Sequence, residues 1–565
     1  MSRTLDKQPI PKKSPSTRAD EPTPRRRESM RDFVEQIVIA FILAFLVRGF
    51  EAEAFVIPTG SMAPTLMGMH KEVACPYCGY VFTVNAAEEM EPRAGLNLAP
   101  IMAGLCGNCH APVRIDEDPS FNGDRILVMK FLYNMPFVPR TSPERWSVVV
   151  FHYPEEPETN YIKRLVGLPD EDLRIYFGDV LTRPRGTDEP FRLRRKPLMH
   201  QEAMQMNVWD DRNRSRALAS LPEWQRWQPR EPGAWSEKEP GHFAASATEG
   251  WVDLRYRHLV PDLSQWEAIL AGNAPATPPR PSLISDFYAY NAWGANLNQL
   301  RNAIPPHWVG DLTLSCRLES KSDTGLVKLE LVEAGVSNRC EIDLSTGLAT
   351  LYHGDQALGE PVATAVKGKG GHDLAFANVD GRLTLWVDGG TPFNEGVVYE
   401  DGSEYTLGGH PIPTAADLDP VGVSARGADV EVSGLVLKRD IYYTLDPGAW
   451  DYGRLGLSSD RQLDDPREFS LLAGLEWRDF SIKPGHYMML GDNSPRSKDG
   501  RGWGLRDRDW DPRERESWEV PEALLIGKAF FVYWPHGKPF WPNIAINRNF
   551  HLPFRPYVER MKWIR

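Results

Sequence analysis

With 565 residues, 41% of them hydrophobic and 25% charged, and with 18 tryptophans, the chain is too long for one compact domain and too apolar for a disordered one. Its net charge of −12 excludes a general nucleic-acid binder, which would be basic overall. The charge is uneven: residues 1–31 carry nine basic and four acidic side chains, +5 in all, which leaves −17 for the remainder.

After this Pro-rich basic tail comes the only long apolar run of the sequence, FVEQIVIAFILAFLVRGF, Phe33 to Phe50. Residues 32–50 are expected to form one transmembrane anchor, with Glu35 and Arg48 reaching the headgroups. A cleavable secretory signal begins in the same way, but this run leads into EAEAFVIP, where a small-x-small exit is spoiled by a Glu and by large residues. The tail is then expected in the cytoplasm and everything after residue 50 outside.

Residues 51–68 read as β-rich and hold FVIPTGSMAPTL, in which Gly60 allows a tight turn and Ser61 presents its hydroxyl together with its own backbone N–H. A serine in a Gly/Pro loop is otherwise a plain turn residue. Residues 69–119 contain two CxxC pairs, Cys75/Cys78 and Cys106/Cys109, separated by 27 residues. Four thiolates at such spacing close a tetrahedral structural zinc site with no open position; outside the cytosol, disulfides compete, and His110 is an alternative ligand.

Residues 120–195 continue β-rich. Here NYIKRLVGLPD sets Lys163 in an apolar strand, where lost solvation would lower its pKa and make it a base; the alternative is a lysine facing solvent from an edge strand. Alternation puts Lys163 opposite Ile162 and Arg164, so one of the two basic residues is expected inward and the other outward. Residues 196–282 read as a connector of short amphipathic helices and Pro-rich stretches, and 283–440 as closely spaced strands with Asp-Gly turns, an antiparallel jelly-roll sandwich. Cys316 and Cys340 are expected at the ends of neighbouring strands, as a disulfide or as two buried thiols, and Trp386 and Tyr352 in the sandwich core. Residues 441–565 return to mixed strand and loop and carry GDNSPRSKDGRGWG, whose Asp492, Asn493, Ser497, Asp499 and Arg501 are suited to orienting a neighbouring side chain.

In this order behind an anchor, the boxes IPTGSMAPTL, GDRILV, YIKRLVGLPD, GDNSPRSKDGRGWG and VPEALLIGKAFFVYW resemble bacterial type I signal peptidase, over residues 31–68, 120 to about 176 and about 440 to 535. The resemblance implies a mainly β fold: a catalytic core in three pieces (51–68, 120–195, 441–565) with an inserted four-cysteine ribbon (69–119), a connector (196–282) and an inserted sandwich (283–440). It implies Ser61 as nucleophile and Lys163 as general base. Thr59, with the Ser61 N–H, would form the oxyanion hole. Ser497 would orient the lysine, beside an Asp499–Arg501 ion pair. Phe55, Val56, Ile57 and Pro58 would form the strand along which substrate lies extended. The activity implied is a membrane-anchored serine endopeptidase that removes signal peptides after a small-x-small motif, on the outer side of the bacterial cytoplasmic membrane. Its partners are precursor proteins and the bilayer, with no nucleic acid and no cofactor for catalysis. The distance from Ser61 to Lys163, 102 residues, exceeds the usual core because the cysteine segment intervenes. The sandwich resembles concanavalin-like lectin and glucanase domains by strand pattern alone, so a glycan partner and a protein-docking role both stand. The rival reading is a membrane-anchored binding protein whose working part is the sandwich.

Overall fold

A computed structural model describes residues 30–46, 52–87, 101–115, 119–130, 142–246, 249–400, 402, 411–446, 452, 463–474, 477–503, 518–539, 545–547, 550–551 and 554–565. The chain divides into an N-terminal unit, Met1–Glu51, and a main body, Ala52–Arg565. In the N-terminal unit, helix α1 covers Met30–Leu46, 17 residues, and the side chains of Phe33, Val34, Ile37, Val38, Ile39, Phe41 and Ile42 are exposed. At about 1.5 Å per residue such a helix spans about 25 Å, short of the ~30 Å of a bilayer's hydrocarbon core. Among the described residues no helix is long and apolar enough to cross a membrane, which departs from the expected anchor over 32–50; residues 47–50 lie outside the described ones.

The main body is built of β-structure. Its first layer is a seven-stranded antiparallel sheet with spatial order β1-β2-β7-β3-β4-β5-β6, where β1 is Ala52–Val56, β2 Arg125–Met129, β3 Val148–Tyr153, β4 Glu156–Gly167, β5 His486–Leu490, β6 Glu519–Pro521 and β7 Leu525–Trp534. Strand β3 reads VVVFHY and is covered on both faces, so its near-continuous apolar run is what a central position demands. Strand β4 changes character along its length: its first half is largely exposed, and Lys163 to Gly167 are all buried between β3 and β5. Among the described residues, strand β1 lies at the sheet edge and pairs with β2 alone.

Two β-hairpins carry the cysteine pairs. Cys75 and Cys78 lie in the turn between strands His70–Ala74 and Val81–Asn85; Cys106 and Cys109 lie in the turn between Ala103–Leu105 and Pro112–Arg114. The two turns close alike, with Cys75 N–H donating to Tyr80 O (2.9 Å) and Cys106 N–H to Ala111 O (3.0 Å).

The sandwich has two eight-stranded antiparallel sheets around one apolar core. Three expectations are corrected here. The stretch 196–282, expected to be a helical connector, has among its described residues two short α-helices, α2 (Leu198–Met204) and α3 (Leu263–Leu270), and a 3₁₀ turn at Pro222–Trp224. Its strands Met206–Asp210, Trp227–Pro229, Trp235–Glu239, His242–Ala245 and Val252–Tyr256 pair into the sandwich sheets. Trp209, Trp227 and Trp235 face the sandwich core. Cys316 and Cys340, expected at the ends of neighbouring strands, sit mid-strand in opposite sheets, each a buried free thiol. Trp386 and Tyr352 are not core: alternation buries Leu385 and Val387, and Leu351, and turns the two rings to the outer faces, where Arg339 stacks over Tyr352 at 4.4 Å.

Candidate active site

The segment Ile57–Met69 is a closed loop at the end of β1. Ile57 N–H donates to Asp124 O (2.9 Å), Asp124 N–H to Met67 O (2.9 Å) and Met69 N–H to Pro58 O (3.2 Å), so both ends of the loop are tied to the chain just before β2. Within it Gly60–Met62 makes one 3₁₀ turn, with Thr59 extended before it. Ser61 is half-buried on this turn, and Lys163 Nζ lies 2.5 Å from its Oγ.

Lys163 is 4% exposed. Burial lowers its pKa from 10.5 to about 8, although the carboxylates of Asp499 and Asp492 pull the other way. About a tenth of the amine is therefore neutral at pH of about 7, far more than for an exposed lysine, and it lies in hydrogen-bond reach of a hydroxyl, the two properties a general base for serine must combine.

The expectation that only one of the two neighbouring basic residues points inward is corrected: Arg164 is fully buried as well, on the opposite face of β4. Its guanidinium grips Asp492 with two bonds of 2.7 Å, Nε to Oδ1 and Nη2 to Oδ2, and also donates to the Trp146 carbonyl (2.5 Å) and to Thr65 Oγ1 (3.2 Å). Thr65 donates to Asp492 Oδ2 (2.5 Å), so Asp492 clamps the far side of the serine loop to the lysine strand.

Residue 491 onwards wraps the site because β5 pairs Leu490 with Arg164 and so delivers the following loop beside the lysine. Asn493 N–H donates to Ser61 O (3.1 Å) and its Nδ2 to Gly60 O (3.0 Å), fixing both carbonyls of the turn. Asp499 and Arg501 form a fully buried ion pair at 2.7 Å. Burial pushes the Asp499 carboxyl up, but the Arg501 charge and hydrogen bond outweigh it and hold the group below its usual range. Ser497 is buried, yet its Oγ has no hydrogen-bond partner, so the expected bond to the lysine is not formed. Thr59 is exposed, and its hydroxyl makes no bond to the turn it caps. Of the expected substrate strand, Val56 and Pro58 are exposed, Phe55 is half-buried and Ile57 is buried in the core.

Two residues of the site were not anticipated. Asn291 exchanges two amide bonds with Asn493, Nδ2 to Oδ1 at 2.7 Å and the reverse at 2.9 Å. Tyr290 lies flat enough against Gly60 that a Cβ there would stand 2.2 Å from its ring, which explains the glycine by close approach. Both belong to a short turn, Ala289–Asn291, held from behind by Arg439 of the sandwich, which donates to the carbonyls of Asp286 (2.7 Å) and Phe287 (3.0 Å). Nothing in the sequence connects residue 291 to residue 493, because the contact is tertiary.

The four cysteine sulfurs are gathered together: Cys75 and Cys109 Sγ are 3.7 Å apart and Cys78 and Cys106 Sγ 3.6 Å, with all four within 4.8 Å. Tetrahedral zinc with Zn–S of about 2.3 Å has sulfur–sulfur edges of about 3.8 Å, so the set fits such an ion. All four are free thiols. His110 is not in the set; it takes the left-handed turn position (φ 61°) that Gly79 (φ 78°) takes in the other hairpin, and packs on Phe287 at 4.4 Å.

A half-buried serine hydrogen-bonded to a buried lysine at the end of a β-sheet is a serine–lysine pair. Comparison with known proteins narrows it. The family described as "Signal peptidase, peptidase S26" matches residues 99–225 and 454–534, which include Lys163 and the loop with Asp499 and Arg501 but not Ser61. A signal peptidase I of Pseudomonas aeruginosa is 48% identical over 59 residues, 9% of this chain and 21% of that protein. Signal peptidase I P of Bacillus subtilis subsp. natto is 24% identical over 168 residues, 30% of this chain and 58% of its own length. The chain thus spans from about a fifth to somewhat over half the length of these two relatives. Among solved structures, the carbohydrate-binding module CBM66 of Bacillus subtilis aligns over 38% of this chain and 96% of its own, at 9% identity and a TM-score of 0.22.

Proposed function

We propose that the protein is a signal peptidase I, a serine endopeptidase that releases translocated precursors from their signal peptides after a small-x-small motif. The observation that carries this reading is the 2.5 Å contact of Lys163 Nζ with Ser61 Oγ, made by an amine whose pKa burial lowers to about 8. In the reaction, neutral Lys163 takes the Ser61 proton as Oγ attacks the scissile carbonyl. The Thr59 hydroxyl and Ser61 N–H hold the oxyanion, and the lysine then protonates the departing amine. Water, deprotonated by the same lysine, hydrolyses the acyl-enzyme and restores Ser61. The substrate would lie extended along the open edge of β1, adding main-chain bonds beside Phe55 to Pro58.

The exposed apolar side chains of α1 suit attachment to a bilayer, with the basic tail left on the cytoplasmic side and the main body outside. Ser61 follows α1 by only 15 residues, which keeps the reaction within reach of a signal peptide held in the membrane. The four cysteines would hold a structural zinc ion that takes no part in catalysis. The sandwich is read as a scaffold that carries the turn with Tyr290 and Asn291 to the serine loop. Its outward Trp386 and Tyr352 leave a glycan partner as a second reading, for which retention on immobilised glycans is the test.

Incubating the full-length protein in detergent with a precursor bearing an Ala-x-Ala site tests the main reading. A product whose mass begins one residue after the second alanine, absent with Ser61→Ala, is expected. No cleavage by folded wild-type protein would reject it.

A further inference from the structure

A second cluster of ligating side chains lies in the main body and shares no residue with the serine–lysine pair or the four cysteines: His70 and Glu72 on the strand His70–Ala74, and His536 beyond the end of β7, with one donor atom from each within 4.8 Å of the others. His70 is fully buried and His536 4% exposed. His70 Nδ1 is 2.7 Å from the Gly68 carbonyl, an acceptor only, so the ring proton sits on Nδ1 and the lone pair on Nε2 faces the cluster. That Nε2 has no hydrogen-bond partner, and neither ring nitrogen of His536 has one. His536 Nε2 stands 3.6 Å from Glu72 Oε1, beyond hydrogen-bond range but close to a ligand–ligand edge. Buried polar nitrogens without partners are uncommon in folded proteins, and two histidines together with three such atoms point to a missing ligand.

We infer that His70, Glu72 and His536 bind a divalent transition-metal ion of the zinc class, with a fourth position left to water. Two imidazoles and one carboxylate are the donor set of a borderline ion and do not suit magnesium or calcium, which take oxygen. A histidine whose other nitrogen donates to a backbone carbonyl is the usual orientation of a metal ligand. The surroundings agree. Arg560, whose charge acts on His70, is compensated by Asp124 at 2.9 Å. Phe121 stacks on His536 at 4.4 Å, and Tyr557 meets its edge at 5.2 Å, forming a dry aromatic wall that holds the ring in place.

The site has a mechanical consequence for the serine loop. Gly68, whose carbonyl His70 grips, packs beneath Thr59 so closely that a Cβ on it would stand 2.2 Å from the Thr59 carbonyl carbon. An ion at His70 therefore fixes the floor under the residue that precedes the Gly60–Ser61 turn.

The test uses untagged full-length protein, stripped with a chelator and reloaded with Zn²⁺, and reads metal content per chain and the X-ray absorption of the zinc. One equivalent of zinc with a nitrogen/oxygen-only shell is expected, whatever the four cysteines hold. It should be lost in His536→Gln and in His70→Gln, with affinity falling by more than the roughly 10- to 100-fold of an outer-shell change. Co²⁺ titration of the wild-type protein decides the matter should either variant fail to fold: weak visible bands free of sulfur charge transfer support the site. Wild-type protein that acquires only a sulfur-bound ion overturns it. So does a folded variant that keeps its nitrogen/oxygen-bound ion.

Discussion

Lys163 has given up water on every side and keeps one short hydrogen bond, to Ser61. That exchange fixes the pH response. Because its folded pKa of about 8 lies below the 10.5 of an exposed lysine, the neutral base accumulates as pH rises. kcat/KM for precursor cleavage should climb through pH of about 8 to a plateau, and a flat profile between about 6 and 9 would contradict the assignment. Stability follows with a defined sign: between about pH 8 and 10.5 the unfolded chain holds the proton and the folded one does not, so the native state gains stability as pH rises. Lys163→Met, which cannot titrate, should lack that gain in denaturant titrations at pH values of about 8 and 10. Thr59 makes no bond to the turn it caps, so Thr59→Val should leave the melting temperature in place and lower kcat by about 10²- to 10³-fold, the scale for an oxyanion donor. An unchanged kcat would remove Thr59 from the site.

At the scale of elements, three pieces of chain converge on the serine turn, and two different contacts hold them. Arg164 and Asp492 form a fully buried bidentate pair joining β4 to the loop after β5. Asp492→Ala leaves the guanidinium uncompensated and should cost about 3–5 kcal/mol in chemical unfolding, whereas the double change Arg164→Met, Asp492→Leu should recover much of it. Equal losses in both would show that the pair is not what joins the elements. Asn291 acts one step away from the chemistry as a positioning residue, through Asn493 on the Gly60 and Ser61 carbonyls. Asn291→Ala should lower kcat by about 10- to 100-fold with KM little changed; a rise in KM alone would argue for a direct substrate contact.

These elements also mark how far the sequence could be read. Ser61, Lys163 and the Asp499–Arg501 pair stand out in the sequence through the resemblance of their boxes to a known family, since local chemistry alone leaves a turn serine, a solvent-facing lysine and a polar loop as alternatives. Arg164 is inward against the expectation because alternation predicts an outward face only where one side of a strand meets water, and β4 is covered on both sides over Lys163–Gly167. Ser497 was expected on the lysine and is found without a partner. Tyr290 and Asn291 carried no signal, since the contacts that give them a role cross some 200 residues of chain. The stretch 196–282 reads as helix and connector in sequence because short mixed apolar and polar runs fit a helix face and a strand face equally well over so few residues.

Across the whole molecule, the insertions and the catalytic core share one mechanical frame. The cysteine hairpin Ala103–Leu105 pairs with Trp293–Gly294, two residues beyond Asn291, and the sandwich strand ending at Arg439 grips the same segment from the other side. The serine loop thus rests on both insertions, although neither brings a reacting group. If the four cysteines hold the proposed zinc, Cys106→Ser should remove it and lower the melting temperature, with cleavage falling because the turn at 289–291 loosens. Unchanged zinc content in that variant would exclude the four-cysteine site. The central claim, that Ser61 and Lys163 are the reacting pair, is tested most directly by one measurement: cleavage of a membrane-inserted Ala-x-Ala precursor by wild-type, Ser61→Ala and Lys163→Ala proteins of matched melting temperature. Loss of about 10⁴-fold or more in both variants is the predicted result. A folded variant that still cuts at a wild-type rate would contradict it.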